Sequence, residues 1–333
     1  MLYLNWGVIL MLDITPRNVR VWSRLGSRGT FGLALFDLAT TKDNLVVMSA
    51  DLGQTSGLGR YMVTYPKMFY NLGIAEPNMV GVAAGMAKEG NCVFATTFSN
   101  FLSMRSYEQI RLNLGYMQLP VHLVGVASGF EMGMFGNTHY GIEDIALMRA
   151  IPNLTVLSPA DGAETVKVVN AVAESDRPTY IRLTGGSNFP VIYDDDYDFT
   201  LGQAITLLDG YDITIISTGS MVYYSLQAAE LLSKDGISCK VVNMHTIKPL
   251  DECAIKNSCN SRLIVTVEEH SIIGGLGSAV AEVLTGTSDH PPLLRIGIPD
   301  VFPHAGTREY LIEKYGLTKK GIAERIRISL NSE

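Results

Sequence analysis

The stretch CVFATTFSNFLSMRSYEQIRLNLGYMQLPVHLVGV, residues 92–126, carries the pattern that settles the fold class. Residues 92–96 and 121–126 are short apolar runs, and residues 101–116 between them have the length and composition of a helix. A strand, a helix and a second strand in that order make a parallel pair with a helix across it, the unit of an α/β sheet. Outward from this unit the alternation continues. Strands are predicted at residues 45–49, 154–157 and 179–183, and helices at 30–40, 76–89 and 162–174. Past Arg182 the texture changes to TGGSNFPVIYDDDYDFT, residues 184–200, turn formers and acids with little periodicity, as in an interdomain linker. A second series follows, with strands at 213–217, 239–243, 263–268 and 293–298 and helices at 222–234, 250–256, 276–284 and 307–315. The expected architecture is two α/β domains with mostly parallel sheets. Residues 1–25 form an N-terminal extension, 26–186 the first domain, 187–203 a linker and 204–333 the second domain.

Composition agrees. A chain of 333 residues, 47% hydrophobic and 18% charged, can bury two cores of ordinary size. The 33 acidic and 26 basic side chains leave a net charge of −7. No lysine or arginine stripe is present to neutralise a phosphate backbone, which argues against nucleic acid as a partner. Cys92, Cys239, Cys253 and Cys259 lack metal-binding spacing and read as reduced thiols of a cytoplasmic protein, with no metal site on this chain. The apolar start MLYLNWGVILML is too short to span a membrane and lacks the basic region of a signal peptide. It is either a buried segment or an over-extended start with Met11 as the initiator.

In open α/β sheets reactive groups collect at the carboxyl ends of strands. Asp51 stands there, after LVVMSA, and reads first as a turn cap. Gly53, Gly57 and Gly59, and again Gly274, Gly275 and Gly277, have the wrong spacing for a dinucleotide fingerprint. Glu76 opens a helix in an apolar setting of Ile74, Ala75, Met79 and Val80, with Pro77 fixing the first turn. Burial would raise the pKa of such a carboxyl and suit it to exchange a proton with a heterocyclic nitrogen. Phe98, Phe101 and Arg105 are spaced to share one helical face, with Tyr107 close by, an arrangement that spacing alone reads as core packing with an outlying arginine. His139, in the glycine-flanked loop of NTHYGIEDIALMRAIPN, reads on its own as a surface or capping residue.

Together these segments resemble the thiamine diphosphate enzymes of the transketolase and 1-deoxyxylulose-5-phosphate synthase group. SADLG, NLGIAEPNMVGVAAGMA, ATTFSNF, GNTHYGIEDIALMRAIPNLTVLSPAD, PTYIRL, STGSMV, VVNMHTIKPLD and VTVEEHSIIGGLGSAVAEVL occur in family order from about Arg28 onward. The resemblance covers the pyrimidine-binding domain and the transketolase C-terminal domain. It implies that Glu76 contacts N1′ of the cofactor aminopyrimidine, that Phe101 stacks on that ring with Phe98 lining the pocket, and that Asp51 and Arg105 also belong to the cofactor site. It makes His139 a catalytic hydrogen-bond donor to the substrate oxygen, places Thr55 in the substrate channel, and matches Arg28 and Arg182 to arginines that hold a sugar phosphate.

Two departures qualify the substrate. Phe135 stands where the family carries an aspartate that reads an acceptor hydroxyl, and Ala127 where it carries a second channel histidine. An altered substrate is therefore expected, a deoxy, branched or otherwise unusual ketose or acyl donor, phosphorylated if both arginines act as matched. The Gly-Asp-Gly motif that holds Mg²⁺ and the diphosphate in the family does not occur: Asp161-Gly162, Asp209-Gly210 and Asp235-Gly236 lack the preceding glycine. The chain thus resembles the C-terminal subunit of a split transketolase, paired with an N-terminal subunit that carries the diphosphate-binding domain, in an α2β2 assembly. The alternatives are a 2-oxo acid dehydrogenase β-type subunit, a synthase-like acyl transferase, and a scaffold or regulatory subunit that has lost catalysis.

Overall fold

The computed structural model describes residues 12–331. The two readings of the apolar N-terminal segment fall, Leu12 apart, outside the described residues. Leu12 itself packs against the first hydrophobic core.

Among the described residues twelve strands build two sheets: β1 Leu45–Ser49, β2 Phe69–Asn71, β3 Cys92–Phe98, β4 Val121–Val126, β5 Thr155–Leu157, β6 Thr179–Arg182, β7 Ile205–Leu208, β8 Ile213–Ser217, β9 Cys239–Asn243, β10 Thr246–Lys248, β11 Leu263–Ser271 and β12 Leu293–Ile298. The first sheet has the order β10-β5-β6-β4-β3-β1-β2 and the second β12-β11-β8-β9-β7. All pairings are parallel except β10 with β5 and β7 with β9. The two α/β sheets expected from alternation are there. β1, β4 and β8 are buried along their whole length, which is why they read as mainly apolar runs, interrupted by His122 in β4 and Thr214 in β8.

Three short edge strands, β2, β7 and β10, were not legible as strands. β10 also crosses the expected boundary: it follows β9 of the second sheet in the chain yet completes the edge of the first. Residues 101–116 are not one regular helix. Wide turns of π type at Phe101–Arg105 and Arg111–Tyr116 flank a short α-helical piece, Tyr107–Ile110. Each wide turn adds a residue per turn and rotates the faces beyond it.

The first helix is longer than expected, Pro16–Leu38 rather than 30–40, so most of the described part of the expected extension is packed structure. Thr15 caps it, its hydroxyl accepting from the Asn18 amide at 3.2 Å, and Pro16 opens the first turn. Val19, Trp22, Phe31 and Leu35 are buried in the first core. At Gly26 the helix kinks with φ +73°, and a Cβ there would stand 2.3 Å from the Gly186 carbonyl oxygen, so only glycine fits. The kink is anchored by the Ser27 hydroxyl, which donates to the Gly185 carbonyl at 2.8 Å. Arg28 follows two residues after the kink.

Several titratable groups are enclosed without a full charge partner, which makes stability depend on pH. Burial pushes His122 down to about 3 and His245 and His270 down to about 4. It pushes Glu164 up to about 8 against the pull of hydrogen bonds from Asn243, the Ala160 amide and Tyr193. A depressed histidine contributes stability above its unfolded value near 6.5 that is lost as pH falls, whereas a raised carboxyl contributes stability below its unfolded value near 4.5 that is lost as pH rises. Relative to a Glu164→Gln variant, the parent's Tm should therefore fall between pH 5 and pH 8, whatever the absolute values. Thermal melts across that range check this, and parallel profiles for variant and parent would refute it.

Candidate active site

Glu76 opens the helix Glu76–Lys88 and is 3% exposed. Its Oε1 accepts from Arg105 Nη1 at 3.0 Å. Arg105 comes from the first wide turn, is half-exposed, and lays its guanidinium carbon 3.7 Å above the centroid of Phe101. A planar, hydrogen-bond-donating cation thus bridges a buried carboxylate and an aromatic face. The apolar setting expected for Glu76 is only half of its environment, because this cation faces it.

Phe98, at the carboxyl end of β3, lies 5.6 Å from Phe101, centroid to centroid. The two share a face as a strand end and the turn after it, not as one helix. His139 stands edge-on to both, at 6.0 Å from Phe98 and 5.3 Å from Phe101, and 5.0 Å from Phe135. The loop bearing His139 is fixed from below: Asn100 Nδ2 donates to the Thr138 carbonyl at 2.7 Å, and Gly129 pairs with Gly141. A Cβ on Gly141 would fall 1.9 Å from Ser99 Oγ, so a larger residue there would oblige the Ser99 side chain to move. Around the same turn Ser99 Oγ, Asn100 Oδ1 and Ser103 Oγ are buried without a hydrogen-bond partner. Unsatisfied polar atoms beside an aromatic cluster fit a polar heterocyclic ligand.

A second group lies on the other side of Phe135. Arg28 donates from Nη1 to the Thr55 carbonyl at 3.2 Å and pairs through Nη2 with Glu131 Oε1 at 2.7 Å. Glu131 and Phe135, with Gly186, Tyr224 and Arg308 among others, line a groove of about 490 Å³. Arg308 is itself paired through Nε and Nη2 with Glu269, whose carboxylate also accepts from the Phe130 amide and the Ser220 hydroxyl. A groove of similar volume lined by Arg149, Lys248 and Glu282 contains none of the sequence-predicted residues. Asp51 is exposed, in the left-handed region at φ +60°, and trades hydrogen bonds with Asn71: its amide donates to Asn71 Oδ1 and its Oδ1 accepts from Asn71 Nδ2. The Asp51 carboxylate thus pairs with a side chain 20 residues on rather than forming the turn cap its position in the sequence first indicates.

Arg182 is corrected by the structure. Expected to face a sugar phosphate, it is 1% exposed and surrounded by acceptors of the protein itself. Nε donates to Asp144, Nη1 to Thr184 Oγ1, and Nη2 to the carbonyls of Gly141 and Glu269. Asp144 is fully buried and also accepts from Tyr180. With its donors committed and no open face, Arg182 ties β6 to the His139 loop and to β11. The structure therefore brings Glu76, Arg105, Phe101, Phe98, His139 and Phe135 into one cluster and Arg28 and Thr55 to its flank. Glu131, Glu269 and Arg308 were not singled out from the sequence. The available signal was an acid in the otherwise apolar GFEMGMFG.

Comparison with known proteins bears on this arrangement. Residues 24–188 match the family model described as transketolase, pyrimidine binding domain, and residues 202–322 that of the transketolase C-terminal domain. The chain is 43% identical over 310 residues to a putative transketolase C-terminal section of Methanocaldococcus jannaschii, an alignment covering 92% of this chain and 97% of that protein. It is 40% identical to a 6-deoxy-6-sulfo-D-fructose transketolase subunit of a Clostridium species, with 89% of this chain and 91% of that one covered. Among solved structures it resembles one described as a split gene transketolase, inactive beta4 tetramer, with a TM-score of 0.83, 38% identity, and coverage of 92% of this chain and 98% of that one.

Proposed function

Because this chain belongs to the transketolase family, we propose that it is the pyrimidine-side subunit of a two-chain transketolase that moves a two-carbon ketol unit between sugars using thiamine diphosphate. The observation that carries this reading is the Glu76–Arg105–Phe101 stack. It shows that the space between a buried carboxylate and an aromatic face accepts a flat donor group, the shape of an aminopyrimidine edge and face. Thiamine diphosphate, once bound, would supply a nucleophilic carbon able to add to the carbonyl carbon of a ketose, so that the neighbouring C–C bond can break.

This chain's part is to hold and tune. Glu76 exchanges a proton with the ring nitrogen N1′, Phe101 and Phe98 fix the ring plane, and the half-exposed Arg105 swings aside to admit it. His139 hydrogen-bonds the substrate oxygen where negative charge develops, the type of contact that strengthens in a transition state. Diphosphate and Mg²⁺ belong to the partner subunit in this reading. The support is that the chain spans almost the whole of relatives named as a section or subunit of transketolase.

The test is assembly. The chain mixed with a subunit bearing the diphosphate-binding domain, thiamine diphosphate and Mg²⁺ should co-elute with bound cofactor and transfer a ketol unit, and neither chain alone should do so. A complex that retains no cofactor, or that transfers nothing from any of a panel of ketoses, would overturn the proposal.

A further inference from the structure

The ring of His139 must carry its proton on one particular nitrogen to act as proposed. A neutral imidazole has a single N–H, so it donates to a substrate oxygen through Nε2 only when Nδ1 is bare. Which nitrogen holds the proton follows from the hydrogen bond that the other one makes. Nδ1 lies 2.9 Å from the hydroxyl oxygen of Thr138, the residue before it. Phe98, Phe101 and Phe135 face the imidazole with ring centroids 5.0–6.0 Å away and supply no ordinary donor or acceptor. Among the described residues, Thr138 is therefore the one hydrogen-bonding partner of this ring.

The direction of that bond decides the tautomer. The hydroxyl proton has two acceptors in reach, Nδ1 at 2.9 Å and the Phe135 carbonyl at 3.4 Å, and the second lies beyond the ordinary O–H···O range. Donation to Nδ1 makes the shorter bond and puts the ring proton on Nε2. With Nδ1 donating instead, the hydroxyl proton would be left to the long contact or to solvent. The backbone beneath the pair is anchored twice. The Thr138 carbonyl accepts from Asn100 Nδ2 at 2.7 Å, and the His139 amide donates at 2.9 Å to the carbonyl of Gly136, which takes φ +72° without strain. We infer that Thr138 is a positioning residue, whose hydroxyl donates to Nδ1, keeps the neutral ring in the Nε2–H tautomer and so leaves that N–H for the substrate oxygen. The purpose of the tautomer rests on the ketol-transfer reading, while the tautomer itself is a property of this chain.

Magic-angle-spinning NMR of the full chain with isotope-labelled histidine reads the tautomer directly, and His139→Gln assigns the signal among the six histidines. At a pH that leaves the ring neutral, the proton should sit on Nε2. Thr138→Val, close in shape but without the hydroxyl, should move population to the Nδ1–H tautomer. In the two-chain enzyme with cofactor the same variant should lower kcat by roughly tenfold, the worth of one ordinary hydrogen bond, with KM held. Thr138→Ser should restore both the tautomer and kcat. Thr138 is exposed, so neither substitution opens a core. A proton on Nδ1 in the parent, a tautomer unchanged in Thr138→Val, or a serine variant no better than the valine one would overturn the inference. The NMR measurement needs no turnover. A parent enzyme that transfers nothing from any ketose counts against the proposed function, whereas the tautomer and its dependence on the hydroxyl are still decided on the chain alone.

Discussion

Glu76→Gln in the assembled enzyme is expected to lower kcat for ketol transfer by roughly 10²- to 10⁴-fold, the range that a positioned proton-transfer group contributes. The amide keeps the size of the carboxyl and can still accept from Arg105, but it cannot exchange a proton. Stability should hardly move. Arg105 is half-exposed, and an ion pair with one partner in solvent is worth at most about 1 kcal/mol. Loss of turnover with an unchanged Tm and retained cofactor would therefore isolate the proton role. A kcat close to that of the parent would remove Glu76 from the chemistry, and the likeness of the guanidinium stack to a bound heterocycle would then be coincidental.

The second large effect is on folding. Arg182→Met should destabilise the chain by about 3–5 kcal/mol, because it strands the Asp144 carboxylate in the interior and withdraws donors from Thr184, Gly141 and Glu269. Urea unfolding of the soluble fraction gives the value. Replacing both partners, Arg182→Met with Asp144→Leu, should recover part of the loss, since two apolar groups no longer leave an unpaired charge. An Arg182→Met protein as stable as the parent, with KM raised selectively for phosphorylated sugars, would restore the phosphate role that the burial argues against.

The fate of the two arginines shows where reading along the chain stopped. Both were matched to phosphate, and both side chains can serve it in principle. What decides is the set of acceptors around each, and those come from distant parts of the chain: Asp144, Gly141 and Glu269 for Arg182, Glu131 and Thr55 for Arg28. For Glu76, Phe98 and Phe101 only the local features were legible, since Glu76 meets Arg105 across 29 residues. Phe98 and Phe101 lie three residues apart at a strand end, and Glu76 opens its own helix. Even there the structure added a feature, since the wide turn at Phe101–Arg105 is what lays Arg105 over the ring.

The sequence by itself determined the α/β class, the central strands, and the segments that gather at the carboxyl ends of β3 and β4. Burial on both faces writes a parallel strand as a mainly apolar run, and a helix start needs only residues within one turn of it. Only the tertiary structure decided which charges are free. It enclosed Arg182, paired Arg28 with Glu131, and joined β10 to the sheet of the other half. Whether a charged side chain is a ligand or a strut depends on what packs around it, and that surrounding is assembled from residues far apart in the chain.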